Sequence, residues 1–207
     1  MRRAENTKLD RDSIVRAAFA VLRTEGLDGL SLRVLADHLG VQAPALYWHV
    51  HNKAELIGMM AATFGAAAAK AAPKEDTWAA RLIAYGQALR QAMLLHRDAA
   101  RLCAIAQPIE DPDATARRLA EPLVAAGLDS HRALSCQSSV IAYTLGWVVY
   151  EQSQPMHEHL AHMIDFAESF ELGLHAMVRG FVAQIEDEIP KSAAKRRPRR
   201  GKTAKNG

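Results

Sequence analysis

Apolar residues in this chain recur at helical spacing and rarely at the alternating spacing of a strand. From Asp10 onward, Ile14, Ala17, Ala18, Val21 and Leu22 fall at the i, i+3, i+4, i+7, i+8 positions of one helix face. Alternating β-branched runs are few, and no Asn-Gly turn joins two strand-like segments. The fold class this predicts is all-α. A chain of 207 residues, 49% hydrophobic, can bury a proper core as one large domain or two small ones.

Glycine, proline and capping residues divide the pattern. Gly26 closes the first helix. Ser31 caps a second, Leu32 to Leu39, which stops at Gly40. A third runs from Gln42 to about Val50, and a fourth from Lys53 to just before Pro73. Thr77 caps a fifth that ends at Leu95. Arg97 to Ile105 is short, broken before Pro108, and Asp113 to Ala126 stops at Gly127. Two long apolar helices follow, Ser130 to about Ser153 and about Asp165 to Glu188, with Pro190 ending the last. The histidine-rich segment 154–163 receives no assignment.

Charge is unevenly spread. Net charge is +3, but residues 191–207 hold eight Lys and Arg and no acid, which leaves −5 on residues 1–190. The basic balance belongs to the tail and by itself says nothing about what the body binds. The tail has little to bury and is expected to be disordered, an accessory extension that adds non-specific DNA affinity at most. Cys103 and Cys136 make no disulfide framework, which fits a reducing cytoplasm. No apolar run reaches transmembrane length.

The segment Leu32 to Val50 has the grammar of a helix-turn-helix. Ala36 is small where two helices approach, Gly40 sits at the turn, and Leu35, Leu39, Val41 and Leu46 can share a core. In "GVQAPALYWHVHNKAEL", Gly40 to Leu56, two adjacent aromatics and a histidine share one short segment. Pro44 is tolerated in the first turn of a helix, whose start can face phosphate. Tyr47, Trp48 and His49 offer stiff hydrogen-bond donors, and Lys53 offers a point charge. They suit a backbone clamp on DNA. The alternative is that Tyr47 and Trp48 belong to a bundle core, but Leu46 and Val50 already supply the inward face.

These residues carry a family resemblance. "LDRDSIVRAAFAVLRTEGLDGLSLRVLADHLGVQAPALYWHVHNKAEL" resembles the head of the TetR family of repressors, the tetracycline-repressor branch in particular. "LLHRDAARL", "YTLGWVVYEQ" and "FELGL" extend the likeness into a second domain. The resemblance implies a flexible arm at 1–9 and a three-helix helix-turn-helix DNA-binding domain at 10–55. It further implies a larger helical effector-binding and dimerisation domain at 56–189, before the basic tail at 190–207. Base reading falls to Arg33, Gln42, Ala43, Pro44 and Ala45, with Arg33 set for a bidentate guanine contact. Phosphate contacts fall to Ser31, Tyr47, Trp48, His49 and Lys53. Ala43 stands where the branch carries a base-reading glutamine, so the operator is expected to differ.

In the second domain the resemblance implies a small-molecule pocket. Cys103 occupies the position of a magnesium-binding histidine and Tyr85 that of a drug-binding asparagine. A further histidine position falls in the alanine run Ala66 to Ala69. A thiol is a poor magnesium ligand, so a magnesium–tetracycline complex is a doubtful effector and no cofactor is required. The expected wall is Tyr85, Leu89, Cys103, Gln107, Trp147 and Tyr150, suited to a small hydrophobic or aromatic compound. Homodimerisation is expected through Val140, Ile141, Leu145, Phe170, Leu174 and Val178, with Gly146 and Gly173 allowing close approach. The partners so implied are an operator duplex, the effector and a second copy of the chain, with no membrane. Two rivals stay open. One is a DNA-binding regulator without an effector; the other is a metal-dependent enzyme using His157, His159 and His162.

Overall fold

The computed structural model describes residues 9–108 and 111–195, and every regular element among them is a helix. The order is α1 (Arg11–Gly29), α2 (Leu32–Leu39), α3 (Ala43–Tyr47), α4 (Lys53–Ala71), α5 (Trp78–Leu94), α6 (Ala99–Ile105), α7 (Pro112–Val124), α8 (Ser130–Gln152), α9 (Gln154–Leu160) and α10 (Phe166–Lys195). Residues 1–8 and 196–207, with most of the expected arm and the end of the basic tail, lie outside the described residues.

Helix starts follow the side chains that can make them. Asp10, Ser31, Asn52, Thr77, Asp111 and Asp129 each accept the backbone N–H three residues on, and Asp165 does the same for Glu168 at α10. Each such cap contributes about 1 kcal/mol. At Asp10 the bond is returned, because the Asp10 N–H donates to Ser13 Oγ. The short helices α3, α6 and α9 lack a side-chain cap and depend on packing and neighbouring turns.

Three expected boundaries move. α1 is kinked but not ended at Gly26 (φ 71°) and continues to Gly29. α3 is shorter than expected, because the chain tightens after Tyr47 through the bond from the His49 N–H to the Leu46 carbonyl, 2.9 Å. α10 runs through Pro190 to Lys195. An internal proline removes one hydrogen bond and kinks a helix, which is compatible with continuation; Pro122 inside α7 is a second case.

Two cores organise the chain. The first joins the head to the body: Ile14, Leu22, Leu35, Leu46 and Leu56 pack in one cluster with Met60, Phe64, Met93, Leu102 and Val148. The second, around Leu82, Leu123, Val140, Phe170 and Leu174, holds α5, α7, α8 and α10. α4 therefore belongs to both the head and the body, and the head is not packed independently of what the body does.

Candidate nucleic-acid interface and cavity

α2 and α3 are locked from within. Ser31 Oγ accepts the Val34 N–H at 3.2 Å. Gly40 closes α2 in the left-handed region (φ 67°), with its N–H on the Asp37 carbonyl and the Val41 N–H on the Ala36 carbonyl, 3.2 and 3.1 Å. A Cβ at Gly40 would meet no atom within 4 Å. The position wants glycine for its backbone angle and not for lack of space. Leu35, Ala36, Leu46 and Val50 fill the inside of the motif, all under 3% exposed.

That packing leaves the other face outward. Trp48 is 85% and Tyr47 49% exposed, among the largest exposed apolar surfaces of the described chain. Arg33, Gln42, Ala43, Pro44 and Ala45 are exposed beside them, and Ser31, His49 and Lys53 are half-exposed. Tyr47 and Trp48 are not core residues. Lys53 Nζ donates to the Leu27 carbonyl at 3.2 Å, which ties the start of α4 to the end of α1; an ammonium keeps two further donors. Ser31 spends an oxygen lone pair on its cap, and the cap does not use its hydroxyl proton.

His51 was not singled out by the sequence, although His51 and Glu55 have the i, i+4 spacing of a helix pair. Its N–H and its Nδ1 both meet Glu55 Oε2 at 2.8 Å, and Arg11 reaches the other oxygen at 3.3 Å. The backbone bond from His51, followed by its ring, holds the Glu55 carboxyl below its usual range. The Glu55 carboxylate is thus already engaged by partners within the chain.

The head is also fastened to the body. Asp98, the residue before α6, sits in the left-handed region at φ 58°, costly for a side chain with a Cβ. Its carboxylate accepts the Leu27 N–H at 3.0 Å. Gln152, at the end of α8, donates to the His96 and Met93 carbonyls at 2.7 and 3.3 Å, fixing the same loop. Leu27 is therefore gripped from α4 and from the start of α6.

Between α4, α5, α6, α7 and α8 lies a cavity of about 280 Å³. Tyr85, Leu89, Cys103 and Gln107 line it, as the sequence suggested, together with Phe64, Met93, Arg118, Leu119, Ile141 and Leu145. Trp147 and Tyr150 do not. α8 turns its Ile141–Leu145 stripe to the cavity and its Tyr143–Trp147–Tyr150 stripe elsewhere: Trp147 packs edge-on against Tyr143 and Phe166, and Tyr150 is 45% exposed. Burial pushes the Cys103 thiol up to about 11, so it is a neutral thiol at neutral pH. Burial likewise raises Tyr85, against the opposing pull of Arg118 and of a hydrogen bond with Gln137.

A second cavity, also about 280 Å³, shares Gly65, Tyr85, Arg118 and Leu119 with the first. Arg118 and Leu119 come from α7 and were not foreseen, since nothing in the sequence fixes which face of α7 turns inward.

The expected dimer residues are placed differently. Val140, Phe170 and Leu174 are fully buried inside the protomer and Val178 is 1% exposed, while Ile141 and Leu145 face the cavity. Four of the six are thus taken up by the protomer's own core and the other two, partly buried, border the cavity. Gly173 does allow a close approach, but an internal one: a Cβ there would collide with the Tyr143 hydroxyl, which donates to the Phe170 carbonyl at 2.9 Å. Gly146 faces open space. Of the three histidines of the rival reading, His157 stacks flat on Phe166 at 4.8 Å. Among the described residues no group of three or more His, Cys, Asp or Glu side chains gathers at metal-binding distance.

Residues 14–60 match the family model of bacterial regulatory proteins, tetR family, and residues 70–164 match that of the tetracyclin repressor-like C-terminal domain. The class E tetracycline repressor of Escherichia coli is 32% identical over 200 residues, covering 87% of this chain and 94% of the relative. A variant TetR from Acinetobacter baumannii AYE, solved with minocycline, superposes at TM-score 0.71 with 32% identity, over 86% of this chain and 98% of that one. A class A TetR solved with 5a,6-anhydrotetracycline and magnesium gives TM-score 0.67 at 31% identity, over 84% and 99%.

Proposed function

The chain belongs to the TetR family of bacterial regulatory proteins, and we propose that it is a repressor that binds a palindromic operator as a homodimer and leaves it when a small organic effector fills the body. As a member of a family of helix-turn-helix transcriptional regulators it is not an enzyme. The observation that carries the reading is the outward face of Tyr47 and Trp48, 49% and 85% exposed on a motif whose inward face is fully packed. No described helix is long and apolar enough to cross a membrane, and we place its action in the cytoplasm, where the operator is.

In this reading Arg33 reads a base, helped by Gln42 and the exposed start of α3, while Ser31, Tyr47, Trp48, His49 and Lys53 hold phosphates. Arg33→Ala is expected to cost about 1–3 kcal/mol on the operator and to relax preference at one base pair. Lys53→Ala weakens all duplexes alike and reduces the salt slope by about one. Anisotropy titrations against operator and scrambled duplex over a salt series separate the two roles. Equal losses on both duplexes for Arg33→Ala would remove it from base reading.

The cavity supports the effector half. It touches α4 through Phe64 and α6 through Cys103, the two helices whose starts grip Leu27. An effector that prefers a shifted α4 or α6 draws the population toward that state. A small rotation of each head then spoils a spacing that must match about one turn of DNA. Magnesium does not suit this cavity: its described lining offers no histidine and no carboxylate, and magnesium demands oxygen donors in octahedral geometry. The effector is therefore assigned no metal.

Self-association falls to the faces of α8 and α10 that the protomer leaves uncovered. Ala142, Gly146 and Val149 form one stripe, and Leu172, Ala176 and Gly180 form another; Leu172 is 67% exposed. Gly146 and Gly180 have no neighbour within 4 Å of a built Cβ, leaving room for a second copy to approach closely. Leu172→Arg is expected to give a folded monomer, because the side chain is exposed in the protomer and buried only in the pair. Light scattering and circular dichroism check this; a dimer that survives the change places the interface elsewhere.

A further inference from the structure

We propose that the DNA-reading head senses occupancy of the first cavity through the ring of Phe64, with Phe19 and His96 as positioning residues that pass its displacement to α1. The proposal rests on the reading of that cavity as the effector site. Phe64, on α4, is 3% exposed and forms part of the cavity wall. The same ring meets two others. Its centroid lies 5.5 Å from that of Phe19, with the planes at 76°, and 5.7 Å from that of His96, at 66°. Phe19 and His96 approach each other at 4.3 Å. Neither of them lines the cavity. Three rings thus close on one another from three parts of the chain: Phe19 from α1 in the head, Phe64 from α4, and His96 from the turn between α5 and α6.

The three rings are not equally free to move. His96 is fixed to the body through its backbone: its N–H donates to the Met93 carbonyl of α5 at 3.0 Å, and its carbonyl accepts from Gln152 Nε2 of α8 at 2.7 Å. Burial, followed by the charge of Arg23, holds its imidazole below the ordinary range, so at neutral pH the ring is uncharged and packs as an aromatic. Phe19 packs against the first core, on the helix that also carries Ile14 and Leu22 of the head. The end of that helix is held where Lys53 and Asp98 grip Leu27, and Phe19 lies about two turns, or roughly 11 Å, before the grip. Close-packed side chains have little slack. A compound that takes space from the Phe64 ring therefore drives it against the other two. His96 is anchored, so the displacement passes to Phe19 and swings α1 about its Leu27 end.

N-phenyl-1-naphthylamine, a neutral fluorescent ring compound, serves as the cavity probe on the full chain, with a duplex that the chain has selected from a random pool. Saturating probe is expected to weaken duplex binding at least about fivefold, and by linkage the duplex weakens probe binding by the same factor. In Phe19→Ala and, separately, in His96→Ala, the free protein should bind the probe as before, because neither side chain lines the cavity, while the coupling between probe and duplex is lost. A cooperative urea transition shows that each variant is folded. A merely structural role would lower duplex affinity alike with and without the probe and leave the coupling in place. Ala61→Trp, which fills the cavity, should abolish probe binding. A probe that does not bind, or that still binds Ala61→Trp, removes the effector-site reading and this proposal with it. A probe held in the cavity that leaves duplex affinity unchanged, or a coupling that persists in both ring variants, overturns the proposal alone.

Discussion

Replacing Arg90 with methionine is expected to lower the unfolding free energy by about 3–5 kcal/mol. Arg90, on α5, is 8% exposed. Its Nε and Nη2 donate to the two carboxylate oxygens of Glu151 on α8, at 2.8 and 2.7 Å. Its guanidinium also lies 5.0 Å from the centre of the Phe170 ring on α10. One side chain thus clamps three helices of the second core. Methionine keeps much of the volume but leaves the Glu151 carboxylate enclosed without its cation, and an uncompensated buried charge is among the largest single costs a fold can incur. The companion variant decides the cause. With Arg90→Met/Glu151→Leu no charge is left behind, and most of the lost stability should return. Urea titrations at one fixed protein concentration, so that self-association contributes equally, give both numbers. A double variant as unstable as the single one would show that the loss comes from packing and not from the orphaned carboxylate.

The second large effect is on DNA. Tyr47→Ala/Trp48→Ala should reduce operator affinity by more than about a hundredfold, because two bonds to phosphate at roughly 1.5–3 kcal/mol each are lost together. The same variant should unfold within about 0.5 kcal/mol of the unmodified protein, since both side chains are exposed and the inward position belongs to Leu46 at 1% exposure. Leu46→Ala makes the contrast, costing about 2–5 kcal/mol of stability. Anisotropy and urea unfolding on the two variants separate contact from scaffold. If the double aromatic variant loses stability in step with affinity, the pair supports the head and does not clamp DNA.

Some features were legible because a single side chain dictates them. Ser31 and Thr77 start helices by bonding the N–H three residues on, and Gly40 ends one by its backbone angle, so α2 and the start of α5 could be placed from sequence to the residue, while the ends of α1 and α3 could not. Other features depend on rotation about a helix axis. α8 is apolar on more than one stripe, and apolarity does not say which stripe meets the protomer's own core, which the cavity and which a second copy. Val140 and Leu174 were therefore assigned to a partner but fill the protomer's core, and Trp147 and Tyr150 were assigned to a cavity that Ile141 and Leu145 line. Arg118 was missed for the same reason. A charged residue on an amphipathic helix reads as solvent-facing until its neighbours are known.

A paired DNA-reading head leaves a signature in sequence space. When the full chain selects from a pool of random duplexes, the retained sequences should share two half-sites related by two-fold symmetry, about one helical turn or a multiple of it apart. Anisotropy titration of the winning duplex should then show binding at least about a thousandfold tighter than to its scrambled counterpart at physiological salt. A retained pool with no repeated half-site, or equal affinity for selected and scrambled duplexes, contradicts operator recognition by this head.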